Sequence, residues 1–81
     1  MSGLYNILVC DDDKDIVNAL EIYLKQDGYS VYRAYDGNGA LGLLEEADIH
    51  LIILDIMMPG LDGLMTTVKV REKRNIPIIL L

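Results

Sequence analysis

Short apolar runs alternate along this chain with segments of helical periodicity, and this alternation is the feature that most constrains its fold. Asn6 to Cys10 (NILVC) and Leu51 to Leu54 (LIIL) are apolar at nearly every successive position. Such continuous runs are typical of strands that are buried on both faces. Strands of this kind joined by helices predict an α/β fold, in which helices cover both faces of a parallel sheet.

The sequence predicts four strands and three helices in strict alternation. The strands are expected at Asn6 to Cys10, Tyr29 to Ala34, Leu51 to Leu54 and Ile76 to Leu81. The helices are expected at Lys14 to Asp27 (its apolar positions being Ile16, Leu20, Tyr23 and Leu24, with Gly28 as the stop), Asn38 to Ala47 and Leu64 to Arg74. In a doubly wound sheet of order 2-1-3-4, the first helix lies on one face and the other two on the opposite face.

The composition argues against nucleic acid and membranes as partners of this segment. The net charge is −6 and the sequence pI is about 4.4, whereas nucleic-acid binding relies on basic patches. No apolar run approaches the roughly 20 residues that a membrane span needs, and no export signal is apparent at the N-terminus. We therefore expect a cytoplasmic protein, with Cys10 as a buried, reduced thiol.

Basic residues and histidine give no sign of a second site. Lys69, Arg71, Lys73 and Arg74 fall at the end of a predicted helix, where cations complement the helix dipole and solvated side chains are expected. His50 is the only histidine, and it is expected to be a solvated residue at the start of the third strand.

Acidic residues directly follow two of the predicted strands. Asp11 and Asp12 come after the first strand and Asp55 after the third. These strands are neighbours in the predicted order, and ligands bind beyond their carboxyl ends at the point where the order reverses. Clustered carboxylates repel one another unless they bind a proton or a cation, and Mg²⁺ suits oxygen ligands of this kind. A carboxylate can also act as a nucleophile toward phosphorus, so the pattern predicts phosphoryl transfer to a carboxylate.

Two segments resemble the motifs of the response-regulator receiver domains of bacterial two-component signalling, which have a flavodoxin-like fold. Ile7 to Asp13 (ILVCDDD) resembles their first strand and acidic pair. Leu51 to Gly63 (LIILDIMMPGLDG) resembles their phosphorylation loop, with an acceptor aspartate, a proline and an Asp-Gly pair. Asp36-Gly37 followed by Ala40-Leu41, and Pro77 with the apolar run after it, are similar to further parts of the family. The resemblance covers essentially the whole chain, residues 1–81, as one partial receiver domain.

The resemblance implies a role for each acidic residue of the cluster. Asp55 corresponds to the phospho-acceptor, Asp12 to a direct Mg²⁺ ligand, and Asp11 to a ligand that contacts the ion directly or through water. Asp55 is a ligand as well, and Met57 would contribute only its backbone carbonyl. The implied phosphodonor is a sensor histidine kinase, and the module itself is not an enzyme acting on other substrates. Some details are similar to the subfamily whose output is a C-terminal DNA-binding domain.

Neighbouring residues are expected to shape the backbone around the cluster. Asp13 and Asp62 stand where the caps of the first and third helices are expected. The resemblance implies that Pro59 and Gly60 shape the loop after Asp55, and that Gly63 allows a tight entry into the third helix.

The chain departs from the family pattern after the fourth strand. The family has a Ser or Thr at the end of that strand and a lysine after the fifth, and both contact the phosphoryl group; neither is found before Leu81. The fourth helix, fifth strand and fifth helix are also missing, so we expect a truncated receiver. Such a fragment would be impaired in phosphorylation and switching, and its apolar fourth strand would favour self-association into homo-oligomers.

Two alternatives remain. Gly37, Gly39 and Gly42 spell the G-x-G-x-x-G pattern of dinucleotide-binding folds, after a strand and at the start of a helix. The Asp-x-Asp formed by Asp11 and Asp13 is similar to that of haloacid-dehalogenase phosphatases, although Asp15 stands where they have a hydroxyl residue or valine. The dinucleotide interpretation leaves the acidic residues and the loop after Asp55 unexplained.

Overall fold

A computed structural model describes residues 5–58, 60 and 63–81, and in these residues a parallel sheet alternates with helices. The strands are β1 (Asn6–Cys10), β2 (Ser30–Ala34), β3 (Leu51–Leu54) and β4 (Ile78–Leu80). The helices are α1 (Lys14–Gln26), α2 (Gly37–Glu46) and α3 (Gly63–Lys73). All strand pairs are parallel and the order is β2-β1-β3-β4, which confirms the predicted fold class and topology.

The core is divided between the two faces of the sheet, because successive side chains of a strand point to opposite sides. On one face, Ile7 and Val9 of β1 pack with Val17 of α1. On the other face, Leu8 and Cys10 of β1 join a larger cluster that includes residues of α2 and α3, among them Ala40, Leu44 and Val70. This arrangement confirms the predicted placement of the three helices.

Both ends of α1 are fixed by local hydrogen bonds. At the start, the Asp13 carboxylate accepts a hydrogen bond of 2.9 Å from the Asp15 N–H, as expected of a capping residue. At the end, Gly28 has φ +91° and its N–H donates to the Lys25 carbonyl, while the Tyr29 N–H donates to the Leu24 carbonyl. Only glycine adopts this left-handed conformation without strain, so Gly28 stops the helix as predicted.

The buried face of α1 differs from the one that its apolar spacing predicts. Ile16 and Tyr23 are 41% and 69% exposed, so they are not part of the core. The fully buried residue is Val17, and the half-buried Leu20 and Leu24 pack beside it. Val17, Leu20 and Leu24 form an apolar stripe that overlaps the predicted one, and this stripe faces the sheet.

Most of the basic helix end is exposed, as predicted, whereas Arg74 and His50 are half-buried. At the end of α3, Lys73 forms an ion pair of 2.7 Å with Glu45, and the Arg74 guanidinium donates to the Leu44 carbonyl at 2.9 Å. The basic helix end therefore joins α3 to α2. The His50 Nδ1 accepts a hydrogen bond of 2.9 Å from the N–H of Asn6, the first residue of β1, so this side chain links the start of β1 to the residue before β3.

Within the described residues, every helix is too short or too polar to cross a membrane.

Candidate functional site

The carboxyl ends of β1 and β3 bring the acidic residues together. Cys10 and Leu54, the last residues of these two strands, are partners in the parallel ladder. Asp11 and Asp55 are the next residues along each strand, and the Asp55 N–H donates to the Cys10 carbonyl at 2.9 Å. Backbone pairing of the strands therefore places the two side chains at the same edge of the sheet.

Three carboxylates converge at this edge, as predicted. One oxygen atom from each of Asp11, Asp12 and Asp55 lies within 4.8 Å of the others. Asp11 is buried at 3% exposure, Asp55 is half-buried and Asp12 is exposed. The cluster is thus open to solvent on one side and packed against the sheet on the other, as a site for an incoming ligand requires.

Backbone N–H groups orient two of the carboxylates. Asp11 Oδ1 accepts a hydrogen bond of 2.9 Å from the Asp13 N–H, and Asp55 Oδ1 accepts one of 3.0 Å from the Met57 N–H. Both bonds join residues two positions apart, so the turn that follows each strand also fixes the side chain that begins it. The sequence predicts Asp13 only as a helix cap, and the structure adds the hydrogen bond from its N–H to Asp11.

The electrostatics of the cluster favour a bound cation. Burial raises the pKa of Asp11 above its ordinary value, and the charge on Asp55 raises it further, while the hydrogen bond from Asp13 acts in the opposite direction. A raised pKa means that the ionised form of the carboxyl group is energetically disfavoured in the absence of a counter-ion. Three converging carboxylate oxygens are the ligands that a hard divalent cation such as Mg²⁺ prefers, so the donor set fits that ion.

A buried thiol lies beside the carboxylates in the core. Cys10 Sγ is 3.3 Å from the Asp36 carbonyl oxygen and 3.7 Å from Met58 Sδ. Burial raises the pKa of the Cys10 thiol to about 12, and nearby carboxylates, first among them Asp36, contribute to this. The thiol therefore remains protonated at neutral pH, in agreement with its predicted structural role.

The loop after Asp55 is described only in part. Gly60 has φ +74°, a conformation that favours glycine. Pro59 and Asp62, for which roles in shaping the loop and capping α3 were predicted, lie outside the described residues. The Met57 side chain is 82% exposed, and the use of its backbone carbonyl as a metal ligand stays a prediction.

The glycine pattern of the dinucleotide alternative has another explanation. Gly37, Gly39 and Gly42 all lie within α2. The Asp36 carboxylate caps this helix by accepting a hydrogen bond of 2.6 Å from the Gly39 N–H. A negatively charged side chain thus occupies the helix N-terminus at which a dinucleotide would place its pyrophosphate.

The sequence does not predict one contact at the carboxyl edge of the sheet. The Lys14 ammonium lies over the Tyr35 ring, 5.6 Å from its centroid. The two residues follow β1 and β2, which are adjacent strands, so the contact depends on topology. The available sequence signal was a lysine at the first position of a helix, where the dipole disfavours cations.

Comparison with known proteins identifies relatives of this chain. A family model described as the response regulator receiver domain matches residues 7–81. The response regulator protein TrrA from Thermotoga maritima, solved in complex with Mg²⁺-BeF, is 37% identical with a TM-score of 0.89, and the match covers 95% of this chain and 68% of that chain.

Two further structures show the same similarity. The N-terminal domain of a response regulator receiver protein from Methanoculleus marisnigri is 34% identical with a TM-score of 0.92, and the match covers 96% of this chain and 66% of that one. The chemotaxis protein CheY4 from Vibrio cholerae is 30% identical with a TM-score of 0.92, with coverages of 96% and 68%. The chain thus spans about two thirds of the length of the structures that it matches.

Proposed function

This chain belongs to the response regulator receiver domain family, and from that premise we propose that Asp55 accepts a phosphoryl group at a site where Asp11, Asp12 and Asp55 bind Mg²⁺. The observation that carries the proposal is the convergence of these three carboxylates, with one oxygen of each within 4.8 Å of the others. The similar Thermotoga protein was solved with Mg²⁺-BeF, which supports the choice of ion. The Met57 backbone carbonyl is proposed as a further ligand.

In the proposed reaction, a carboxylate oxygen of Asp55 attacks the phosphorus atom of a phosphohistidine on a sensor histidine kinase. A bond forms between this oxygen and phosphorus, and the bond from phosphorus to the imidazole nitrogen breaks. The nitrogen keeps the electron pair, and the product is an acyl phosphate on Asp55. The hydrogen bond from the Met57 N–H to Asp55 Oδ1 holds the carboxylate in a single orientation. Mg²⁺, when bound, supplies positive charge that offsets the negative charge on the transferring oxygens.

The wider role of the protein follows from the same proposal. We propose a cytoplasmic signalling module that receives its phosphoryl group from a histidine kinase and does not turn over other substrates. A DNA-binding output domain C-terminal to this segment is proposed for the complete protein, with transcription as the regulated process. The acidic charge of this segment supports the view that any nucleic-acid contact lies elsewhere.

Phosphodonor labelling of the complete protein, as its own cell expresses it, tests the assignment of Asp55 as the phospho-acceptor. The wild-type protein and an Asp27→Asn control, altered at the exposed C-cap of α1, should be labelled once per chain in the presence of Mg²⁺. Asp55→Asn should abolish labelling, and removal of Mg²⁺ with EDTA should suppress it in the wild type. Labelling that survives in Asp55→Asn would remove the assignment, and continuous turnover of a generic phosphate ester would favour the phosphatase alternative.

We further propose that the 81-residue chain, taken on its own, associates with itself and is phosphorylated slowly. Ile79 and Leu80 of β4, an edge strand of the described sheet, are 50% and 41% exposed. Beside them, on the α1 face of the sheet, lies an apolar groove of about 620 Å³, whose lining includes Ile7, Leu24, Leu51, Ile53 and Ile79. Exposed apolar surface of this kind at a strand edge favours pairing with a second copy.

Light scattering on the isolated 81 residues tests this association. The wild-type chain should form dimers or larger species at micromolar concentration, and Ile79→Lys should shift the population toward the monomer. A monodisperse wild-type monomer that unfolds cooperatively would contradict the proposal.

A further inference from the structure

The edge of the sheet that carries the acidic cluster is strongly negative. Carboxylates lie directly after the strands or within the first turn of α1, at Asp11, Asp12, Asp13, Asp15, Asp36 and Asp55. Even with a divalent cation bound, this edge keeps a negative net charge. A phosphodonor is itself an anion, so its approach to Asp55 is opposed by the field of these carboxylates.

Among the described residues, Lys14 is the one cation near this edge that is not paired with a carboxylate. It is the first residue of α1 and follows the Asp11–Asp13 acidic run directly. Arg33, one residue before the end of β2, is paired with Glu21 of α1. Lys25 is in the last turn of α1, and Lys69 and the residues after it belong to the second half of α3. Helices of this fold run antiparallel to the strands, so these helix ends are at the opposite edge of the sheet.

The position of Lys14 is unfavourable for the helix that contains it. The first turn of a helix carries a partial positive charge, which stabilises acids and disfavours cations. Asp13 and Asp15 on either side fit this preference, and Lys14 does not. Local helix stability therefore does not explain a lysine here.

Tyr35 contacts the Lys14 ammonium at the carboxyl edge of the sheet. The ammonium is 5.6 Å from the ring centroid, a distance at which a cation is attracted to an aromatic face. Tyr35 directly follows β2, and Asp11 directly follows the adjacent strand β1. The contact therefore restricts the Lys14 side chain and keeps its positive charge at the carboxyl edge of the sheet.

We propose that Lys14, positioned by Tyr35, adds to the lysine that the family has after its fifth strand and helps to attract the anionic phosphodonor to the Asp55 pocket. The inference rests on the proposed function, and it adds a determinant of substrate charge to it. Lys14 offsets the repulsion between the carboxylates and the donor during approach and leaves the transfer step itself to Asp55. The same positive charge repels Mg²⁺, so Lys14 has opposite effects on the two ligands of the site.

The test measures the rate at which acetyl phosphate phosphorylates Asp55 in the complete protein, at saturating Mg²⁺ and low salt. Lys14→Gln should lower the second-order rate constant about threefold, and Lys14→Glu about tenfold, as expected for charges acting across solvent. In about 0.5 M salt, where screening is strong, these differences should shrink to below about 1.5-fold. Phosphoramidate, which carries less negative charge at neutral pH, should show a smaller effect.

Magnesium affinity, measured by calorimetry without any phosphodonor, gives a second readout. Lys14→Gln should bind Mg²⁺ about two- to threefold more tightly than the wild type, because a repulsive charge has been removed. A purely structural role for Lys14 would instead weaken both Mg²⁺ binding and phosphorylation, at every salt concentration. That result, or equal rates in wild type and Lys14→Glu at low salt, would overturn the proposal.

Matched variants test the two parts of the inference. Lys25→Gln, at the other end of α1, removes the same charge and should leave the rate unchanged. Tyr35→Phe should behave as the wild type, and Tyr35→Ala should lower the rate by less than Lys14→Gln. A Tyr35→Ala rate equal to that of the wild type would overturn the positioning role of the ring. Wild-type labelling that is absent at Asp55 would instead overturn the proposed function, so the two failures are distinguishable.

Discussion

Gly63 packs directly against the backbone of Asp55. A Cβ atom added at Gly63 would overlap the carbonyl oxygen of Asp55 and come within 2.6 Å of the Ile56 Cα, closer than real Cβ atoms approach. The Gly63 N–H also donates to the Ile56 carbonyl at 3.1 Å. The backbone at the first residue of α3 is therefore in direct contact with the backbone of the proposed phospho-acceptor. A shift of the helix would also shift Asp55.

Gly63→Ala is expected to destabilise the protein by about 2 to 3 kcal/mol, because the added methyl group meets backbone atoms that cannot rotate away. It should also weaken Mg²⁺ binding, since the displaced atoms belong to Asp55 itself. Urea unfolding with and without Mg²⁺ measures both effects.

Gly42→Ala is the matched control for this substitution. Gly42 lies inside α2, and a Cβ at that position would meet nothing within 4 Å. Alanine should therefore stabilise the helix by about 0.5 to 1 kcal/mol. If the Gly63→Ala variant were as stable as the wild type, the backbone of Asp55 and Ile56 would have to lie farther from Gly63 than the structure shows.

The sequence was sufficient to predict the elements that position the site. β1 and β3 occupy the predicted residues because each is a continuous apolar run that ends at an aspartate. The convergence of Asp11 with Asp55 follows from strand order alone, since parallel neighbours end at the same edge. The order of the strands could be predicted from the sequence because a small set of topological rules governs α/β sheets.

Side-chain contacts between different loops were not accessible in the same way. The exposure of Tyr23 depends on how α1 rotates on the sheet, and its periodicity allows more than one rotation. The contact of Lys14 with Tyr35 depends on two rotamers and on the spacing of two loops. Neither leaves a periodic signal in the sequence, so packing decides both.

Asp11→Asn is expected to stabilise the metal-free protein. The substitution removes one charge from a cluster whose oxygens lie within 4.8 Å of one another. The asparagine Oδ1 can still accept the hydrogen bond from the Asp13 N–H. We expect a gain on the order of 1 kcal/mol at pH 7 in EDTA, as relief of this repulsion suggests. Mg²⁺ should stabilise the wild type by mass action and stabilise the variant far less, so a variant that still gains the full increment would exclude Asp11 as a ligand.

The stabilising effect of Asp11→Asn should depend on pH with a definite sign. The folded-state pKa of Asp11 is raised above its ordinary value, chiefly by burial. Its contribution to stability is therefore fully present below the ordinary pKa and is lost as the pH rises through the folded-state pKa. In EDTA, the variant and the wild type should differ little near pH 3.5, below the ordinary pKa of an aspartate, and increasingly as the pH rises above it. Urea titrations at several pH values measure this, and a difference that shrinks with rising pH would contradict it.

Cys10 should resist alkylation in the folded protein. Its side chain is fully buried and its thiol pKa is raised to about 12. Roughly one thiol in ten thousand is then ionised at pH 8, and the thiolate is the reactive form. Iodoacetamide labelling followed by mass spectrometry should therefore proceed at least about a hundredfold more slowly than in the urea-unfolded chain, through opening of the core. The proposed binding of Mg²⁺ to the folded cluster beside this strand should slow labelling further. Labelling of the native protein at the rate of the unfolded chain would show that the carboxyl end of β1 is open to solvent, and the packing beneath Asp11 and Asp55 would then have to be revised.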